Sequence, residues 1–216
     1  MQSLNRKTFV WGAGSKLRIL LSYLQMIDRN ADYVYDPFIK EIKYKFQGIH
    51  FTSEKEIKDY ATLCDSFVVA IGGEHGKKRQ EIALMLKSEY GLKSLTLIHS
   101  SSYICNTAKT GEGLMMMPGS VINSFSSLGD NCIVNTNASI DHECVIGNGV
   151  HIMGGAVVTG RVHIGDYSSI GSNATVLPDI RIGKNVIVGA GSVVTKNIPD
   201  GLVVFGNPAR THKVNI

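Results

Sequence analysis

Asp141-His142-Glu143 sets two carboxylates beside an imidazole in a stretch otherwise dominated by Gly, Ser, Val and Ile. An imidazole titrates near working pH and is well suited to take a proton from an attacking amine or hydroxyl. A carboxylate beside it holds the ring, fixes its tautomer and stabilises the imidazolium as it forms. Either Glu143 or Asp141 fits that supporting role. Neighbouring side chains on an extended strand point to opposite faces, so the contact requires His142 to lie at a corner. A second histidine, His151, follows nine residues later. The remaining histidines, at 50, 75, 99, 163 and 212, lack such a setting.

Other residues with chemical potential lie near the N-terminus. The apolar run Thr8-Phe9-Val10-Trp11 meets Gly12-Ala13-Gly14-Ser15, and Lys16 to Ile27 then carries apolar residues at 17, 20, 21, 24 and 27. That is a strand, a glycine turn and an amphipathic helix. Such glycines let a ligand phosphate approach backbone N–H groups at the helix start, where the helix dipole also favours an anion. Asp36, ending a second strand from Ala31 to Tyr35, is placed to accept hydrogen bonds from a ribose or a base. The full GxGxxG is absent because position 17 is Leu, and the turn alone fits a nucleotide site and a plain strand-to-helix connection equally.

The elements that must position these residues fall into two regions. Strands at Thr8–Trp11, Ala31–Tyr35, Ser66–Ile71 and Ser94–Ile98, with helices over 16–27 and 77–89, alternate as in a small parallel α/β sheet. Four strands offer one mononucleotide-sized crevice. The charged stretch Lys40 to Lys58 reads as a solvated connection. His99 to Glu112, rich in Ser, Thr and Gly, reads as the join, already winding the next element.

From Gly113 the chain repeats in sixes, and the fourth place of every block from Met116 to Val194 is aliphatic. A helix needs a period near 3.6 and a half-buried strand a period of 2, so a period of six demands another geometry. Three six-residue faces per coil, with parallel pairing between coils, supply it as a triangular prism. Gly129, Gly147, Gly165, Gly171, Gly183 and Gly189 are expected to turn its corners. Asp200 and Gly206 occupy the next two core places, so the prism is expected to end after Val194. The reading is a Rossmann-like domain over 1–100 followed by a β-helix over 101–216.

At 44% hydrophobic and 19% charged, the composition suits a globular chain. The polar Met1 to Phe9 is no secretory signal, and no apolar run is long enough for a membrane span, which makes cytoplasm the expected compartment. The net charge of +4 is scattered rather than gathered into a nucleic-acid stripe. Cys64, Cys105, Cys132 and Cys144 have no zinc-site spacing and read as free thiols.

Repeats such as Ile164-Gly165-Asp166-Tyr167-Ser168 resemble those of bacterial hexapeptide acyltransferases, which makes a left-handed β-helix the expectation. MMMPGSVIN from Met115, NTNASIDHECVIG from Asn135 and GNPAR from Gly206 narrow the resemblance. They are similar to the bacterial nucleotide-sugar acetyltransferases of the PglD and NeuD kind. The resemblance implies His142 as general base and Glu143 as the acid that raises its basicity. It places His151 by the acetyl-CoA thioester, backbone at Ser172 and Ala190 along the pantetheine, and Asn135 near the reacting sugar. The nucleotide would be held by Gly12, Gly14, Ser15 and Asp36, and near Ile71 and Gly72. Many members have Gly-His where this chain has Ser15-Lys16, so recognition by Lys16 is a departure.

The function implied is direct acetyl transfer from acetyl-CoA, without metal, to the amine of a nucleotide-linked amino sugar, at C4 of a deoxyhexose. The oxyanion would be met by a backbone N–H or by His151. A homotrimer is expected because family sites lie between adjacent prisms. O-acetylation of a sugar hydroxyl and an inert nucleotide-sugar-binding trimer are the alternatives.

Overall fold

The structure is a computed structural model that describes residues 6–215. Met1 to Asn5, which open the N-terminal stretch read as no signal, and Ile216 lie outside the described residues. Two compact units result. One reaches to Gly72 and resumes over Glu81–Leu97, and the other holds Gly73–Gln80 and everything from Ile98.

In the first unit, β1 (Thr8–Trp11), β2 (Tyr33–Tyr35), β3 (Ile49–Phe51), β4 (Ser66–Val69) and β5 (Lys93–Ser94) form a parallel sheet in the order β3-β2-β1-β4-β5. The central strands are buried along nearly their whole length, as expected of parallel strands covered on both faces. Helix α1 (Ser15–Met26) buries Leu17, Leu20, Tyr23 and Leu24. The sheet has five strands where four were expected. The extra one lies inside the stretch read as a solvated connection, at whose end α2 (Ile57–Ala61) begins. Phe51 is the reason, since its ring packs against Phe9, Tyr35 and Tyr60. Three residues are too few to show a period. The expected strand Ser94–Ile98 is two pieces, with Lys93–Ser94 pairing to β4 and Leu97–Ile98 opening the prism.

The second unit is a parallel β-helix with faces of six, five and eight strands. Up to Val194 the strands pair 18 residues apart, as Ile133 with His151 and His151 with Ser169. Every fourth-place aliphatic from Met116 to Val194 is buried. So is a second, smaller set the six-residue pattern did not single out, including Cys132, Ala138, Cys144, Ala156 and Ala174. The two sets together make the continuous core, with each buried aliphatic contributing on the order of 1.5–3 kcal/mol.

The expected role of the glycines is corrected. The left-handed backbone lies at the first place of each six, from Gly113 to Gly191, and none of the six glycines named for the corners adopts it. Those glycines admit the next coil instead. A Cβ on Gly147 would lie 2.6 Å from the Asp166 amide nitrogen, and one on Gly165 would lie 2.7 Å from the Gly183 carbonyl carbon. The prism also continues past its expected end. Ile198 pairs with Ile182, and Val204 with Val188, so the last coil is two residues short and its core places are Ile198 and Val204 rather than Asp200 and Gly206. Leu202–Gly206 and Ala209–Val214 then close it as an antiparallel hairpin.

All four cysteines are free. Burial pushes the Cys132 thiol up to about 12 and raises that of Cys144. The Ser124 and Thr107 hydroxyls hold the Cys105 thiol down, at about 6. Alkylation at pH 7 by iodoacetamide, read by peptide mass mapping, is therefore expected to mark Cys105 first and to slow as pH falls through about 6. Equal labelling of Cys132 would contradict this account.

Candidate active site

His142 and Glu143 occupy the corner between the strands Ser139–Ile140 and Val145–Ile146. Glu143 has φ 57°, in the left-handed region. Where the first and third faces meet, the equivalent places hold only Gly or Asn (Gly119, Asn137, Gly155, Asn173, Gly191), whereas the His142 corner stacks Phe125, Glu143, Arg161 and Asp179. A residue other than Gly or Asn there carries a conformational cost on the order of 1 kcal/mol. What the bend gives in return is contact between adjacent side chains. His142 Nδ1 lies 2.9 Å from Glu143 Oε2, with both side chains about half exposed. An ionised carboxylate can only accept, so Nδ1 carries the hydrogen and Nε2 keeps its lone pair.

Asp141 does something else. Its Oδ1 accepts the His142 amide at 2.8 Å and a bond from Asn123 Nδ2 at 3.3 Å. It thus holds the backbone while Glu143 holds the ring. Arg161 donates its amide to the His142 carbonyl, and its side chain is clamped by Asp179 at 2.7 and 3.0 Å. That guanidinium holds the Asp179 carboxyl below its usual range.

His151 lies on a flat face of the prism and is 4% exposed. Its Nδ1 is 3.0 Å from the Gly73 carbonyl oxygen, which can only accept, so Nδ1 carries a hydrogen here too. Nε2 faces Asn135 Nδ2 at 3.4 Å, and the Asn135 oxygen accepts the Thr136 amide at 2.8 Å. An amide NH2 facing Nε2 requires that nitrogen to be unprotonated.

Beside Asn135 runs the corner stack Thr136, Gly154, Ser172 and Ala190. Ser172 and Ala190 are exposed, and the Ser172 carbonyl accepts the Gly191 amide at 2.8 Å. The structure thus gathers His151, Asn135, Ser172 and Ala190 around one edge of the prism. His142 and Glu143 sit at a different corner, so a single chain does not bring the two histidines together.

In the first unit, Gly12 has φ 109°, and a Cβ on it would lie 2.9 Å from the Ala70 carbonyl oxygen, so glycine is required there. Gly14 caps α1 without a side-chain bond, leaving N–H groups at an exposed Ser15. The Lys16 side chain lies over Gly72, its Cε 3.2 Å from where a Cβ would be, and Ile71 is half-buried beside it in sequence. Asp36 also organises the turn. It is 8% exposed, and its two oxygens accept the amides of Ala13, Phe38 and Ile39 at 2.8, 2.9 and 3.0 Å. About four acceptor sites are available on a carboxylate, so most of this one is spent shaping the turn.

The bacterial transferase hexapeptide (six repeats) family matches residues 143–177 and 161–196. The acetyltransferase domain of PglB from Neisseria gonorrhoeae FA1090 is 30% identical, over 96% of this chain and 100% of that one, with a TM-score of 0.85. The chain belongs to the left-handed β-helix sugar N-acetyltransferases. The same PglB domain in complex with acetyl coenzyme A matches with a TM-score of 0.86. PerB from Caulobacter crescentus, in complex with CoA and GDP-perosamine, is 26% identical over 96% of this chain and 97% of its own, TM-score 0.82. WeeI from Acinetobacter baumannii AYE is 26% identical over 96% and 100%, TM-score 0.83.

Within this acetyltransferase, no His/Cys/Asp/Glu group able to hold a metal occurs among the described residues, and none of its described helices is long and apolar enough to cross a membrane. Gly73 and Arg79, which dock on the prism, escaped the sequence reading because their partners are far along the chain. Tyr44, whose hydroxyl donates to the Ala13 carbonyl at 3.0 Å, escaped it as part of a loop.

Proposed function

We propose that this acetyltransferase moves the acetyl group of acetyl-CoA to the amino group, at C4, of a nucleotide-diphosphate-linked amino-deoxy sugar. The observation that carries the reading is the His142–Glu143 hydrogen bond at an exposed corner, which occupies Nδ1 and leaves Nε2 its lone pair. The amine nitrogen attacks the thioester carbonyl carbon, and His142 Nε2 takes the proton the nitrogen sheds. Collapse of the tetrahedral intermediate breaks the C–S bond, and the proton passes to the departing coenzyme thiolate. Glu143 stabilises the imidazolium in between. The oxyanion is met by a backbone N–H or by His151.

His151 and Asn135, with the backbone of Ser172 and Ala190, line the acetyl-CoA and sugar side of the reaction. Gly12, Gly14, Ser15 and Lys16 take the diphosphate at the α1 N-terminus, where the helix dipole and a cation favour an anion. Ile71 and Gly72 border that turn, and Asp36 fixes its shape. A homotrimer follows from the reading, since His142 and His151 stand apart in one chain and a neighbouring prism would bring them to one site. GDP-perosamine in the PerB complex supports a nucleotide-linked amino sugar as acceptor.

The test is coenzyme A release by the purified protein with UDP-, dTDP- and GDP-linked 4-amino-4,6-dideoxy sugars and their 4-hydroxy analogues. At least one amino sugar is expected to turn over while its hydroxyl analogue does not. Preference for the hydroxyl compound would replace N-transfer with O-transfer, and silence with all of them would sink the enzymatic reading.

A further inference from the structure

We infer that Gly160 is a positioning residue for the general base, the bare floor on which the His142 imidazole lies; this rests on the reading of His142 as that base. A Cβ on Gly160 would stand 2.5 Å from His142 Nε2, 2.6 Å from Cε1 and 3.1 Å from Cδ2, and its three nearest atoms all belong to that ring. Gly147, Gly165 and Gly171 differ in kind, since a Cβ on any of them would strike backbone of the next coil. Their glycines belong to the prism. The glycine at 160 answers to one side chain.

Two further observations separate Gly160 from the folding requirement. Its φ lies outside the left-handed region, so an L residue can adopt its backbone. Its equivalents on other coils of this corner, 18 residues apart, are Ser124, His142 and Pro178, with Asn106 one coil earlier, so the place accepts side chains elsewhere. Gly160 is buried, and the ring covers it.

The imidazole is thus located from two directions. Glu143 anchors Nδ1, and the absent Cβ lets the Nε2 edge settle against the next coil. A methyl group at 160 forces the ring to rotate about its side-chain torsions, which breaks the 2.9 Å contact with Glu143 and turns Nε2 from the reacting amine. A displacement near 1 Å is enough to cost about 100-fold in a proton-transfer step that depends on alignment.

The experiment is a double-mutant cycle of Gly160→Ala and His142→Ala on the full-length protein, with kcat, both KM values, the pH profile and the unfolding temperature measured for each. Gly160→Ala is expected to lower kcat about 100-fold with KM values within about twofold and Tm within about 2 °C. In the His142→Ala background it should lower kcat no further. An undiminished Gly160→Ala beside an inactive His142→Ala overturns this inference alone, and so does a loss that is fully additive with His142→Ala. Failure of Gly160→Ala to fold overturns it by returning the glycine to the prism. A fully active His142→Ala overturns the general-base reading and this inference with it.

Discussion

His142→Ala is expected to lower kcat for acetyl transfer by about 10²- to 10⁴-fold, the range that general-base catalysis supplies. The residual rate comes from holding acceptor and thioester in line, which the substitution leaves in place. Binding should change little, because the ring sits at an exposed corner and donates its only hydrogen to Glu143. Glu143→Gln is expected to lower kcat more than Asp141→Asn, since Glu143 touches the ring and Asp141 touches the backbone amide. The reverse order would hand the supporting role to Asp141. Coenzyme A release under saturating substrates reads all three, and wild-type turnover by a folded His142→Ala would remove the imidazole from the mechanism.

That dyad could be read from the sequence because its geometry is local. A corner is set by the six-residue period, and residues 142 and 143 are adjacent, so their contact needed no knowledge of distant chain. The fourth-place aliphatics were legible for the same reason, since a buried column writes itself into the sequence at fixed spacing. The left-handed corners were not, because Phe125, Arg161 and Tyr167 carry no sign of the backbone they adopt. Glycine, the residue that does advertise such backbone, also serves close stacking at Gly147 and Gly165, so its presence does not tell the two uses apart. The shortened last coil was hidden because two missing residues shift the core from Asp200 and Gly206 to Ile198 and Val204, and a fixed reading frame cannot follow a deletion. The tautomer of His151 was out of reach altogether, because the carbonyl that sets it belongs to Gly73, 78 residues away.

The segment that carries this carbonyl makes the second large prediction, in stability. Gly73–Gln80 belongs with the prism, and Arg79 is its anchor at 1% exposure. Arg79 Nε donates to the Asn131 carbonyl and Nη2 to the Gly149 carbonyl, both at 2.8 Å. Gln80 Oε1 accepts from Asn131 Nδ2 at 2.7 Å, and Gly76 and Gly149 meet as bare backbone. Burial brings the guanidinium down to about 10, which still leaves it charged at working pH. Replacing a buried ion pair with apolar residues is often harmless, but only when both partners go. Here the two acceptors are main-chain carbonyls that no substitution removes. Arg79→Met fills much of the same volume and strands both oxygens, at about 1–3 kcal/mol each. At about 2–4 °C per kcal/mol for a chain of this size, Tm should fall by roughly 10 °C. Arg79→Lys, able to reach one carbonyl but not to fork across two, should fall between. With the segment loosened, Gly73 releases His151, so KM for acetyl-CoA is expected to rise in Arg79→Met. A Tm within 2 °C of wild type would mean that the Gly76–Gly149 backbone contact, and not the cation, holds the segment to the coil.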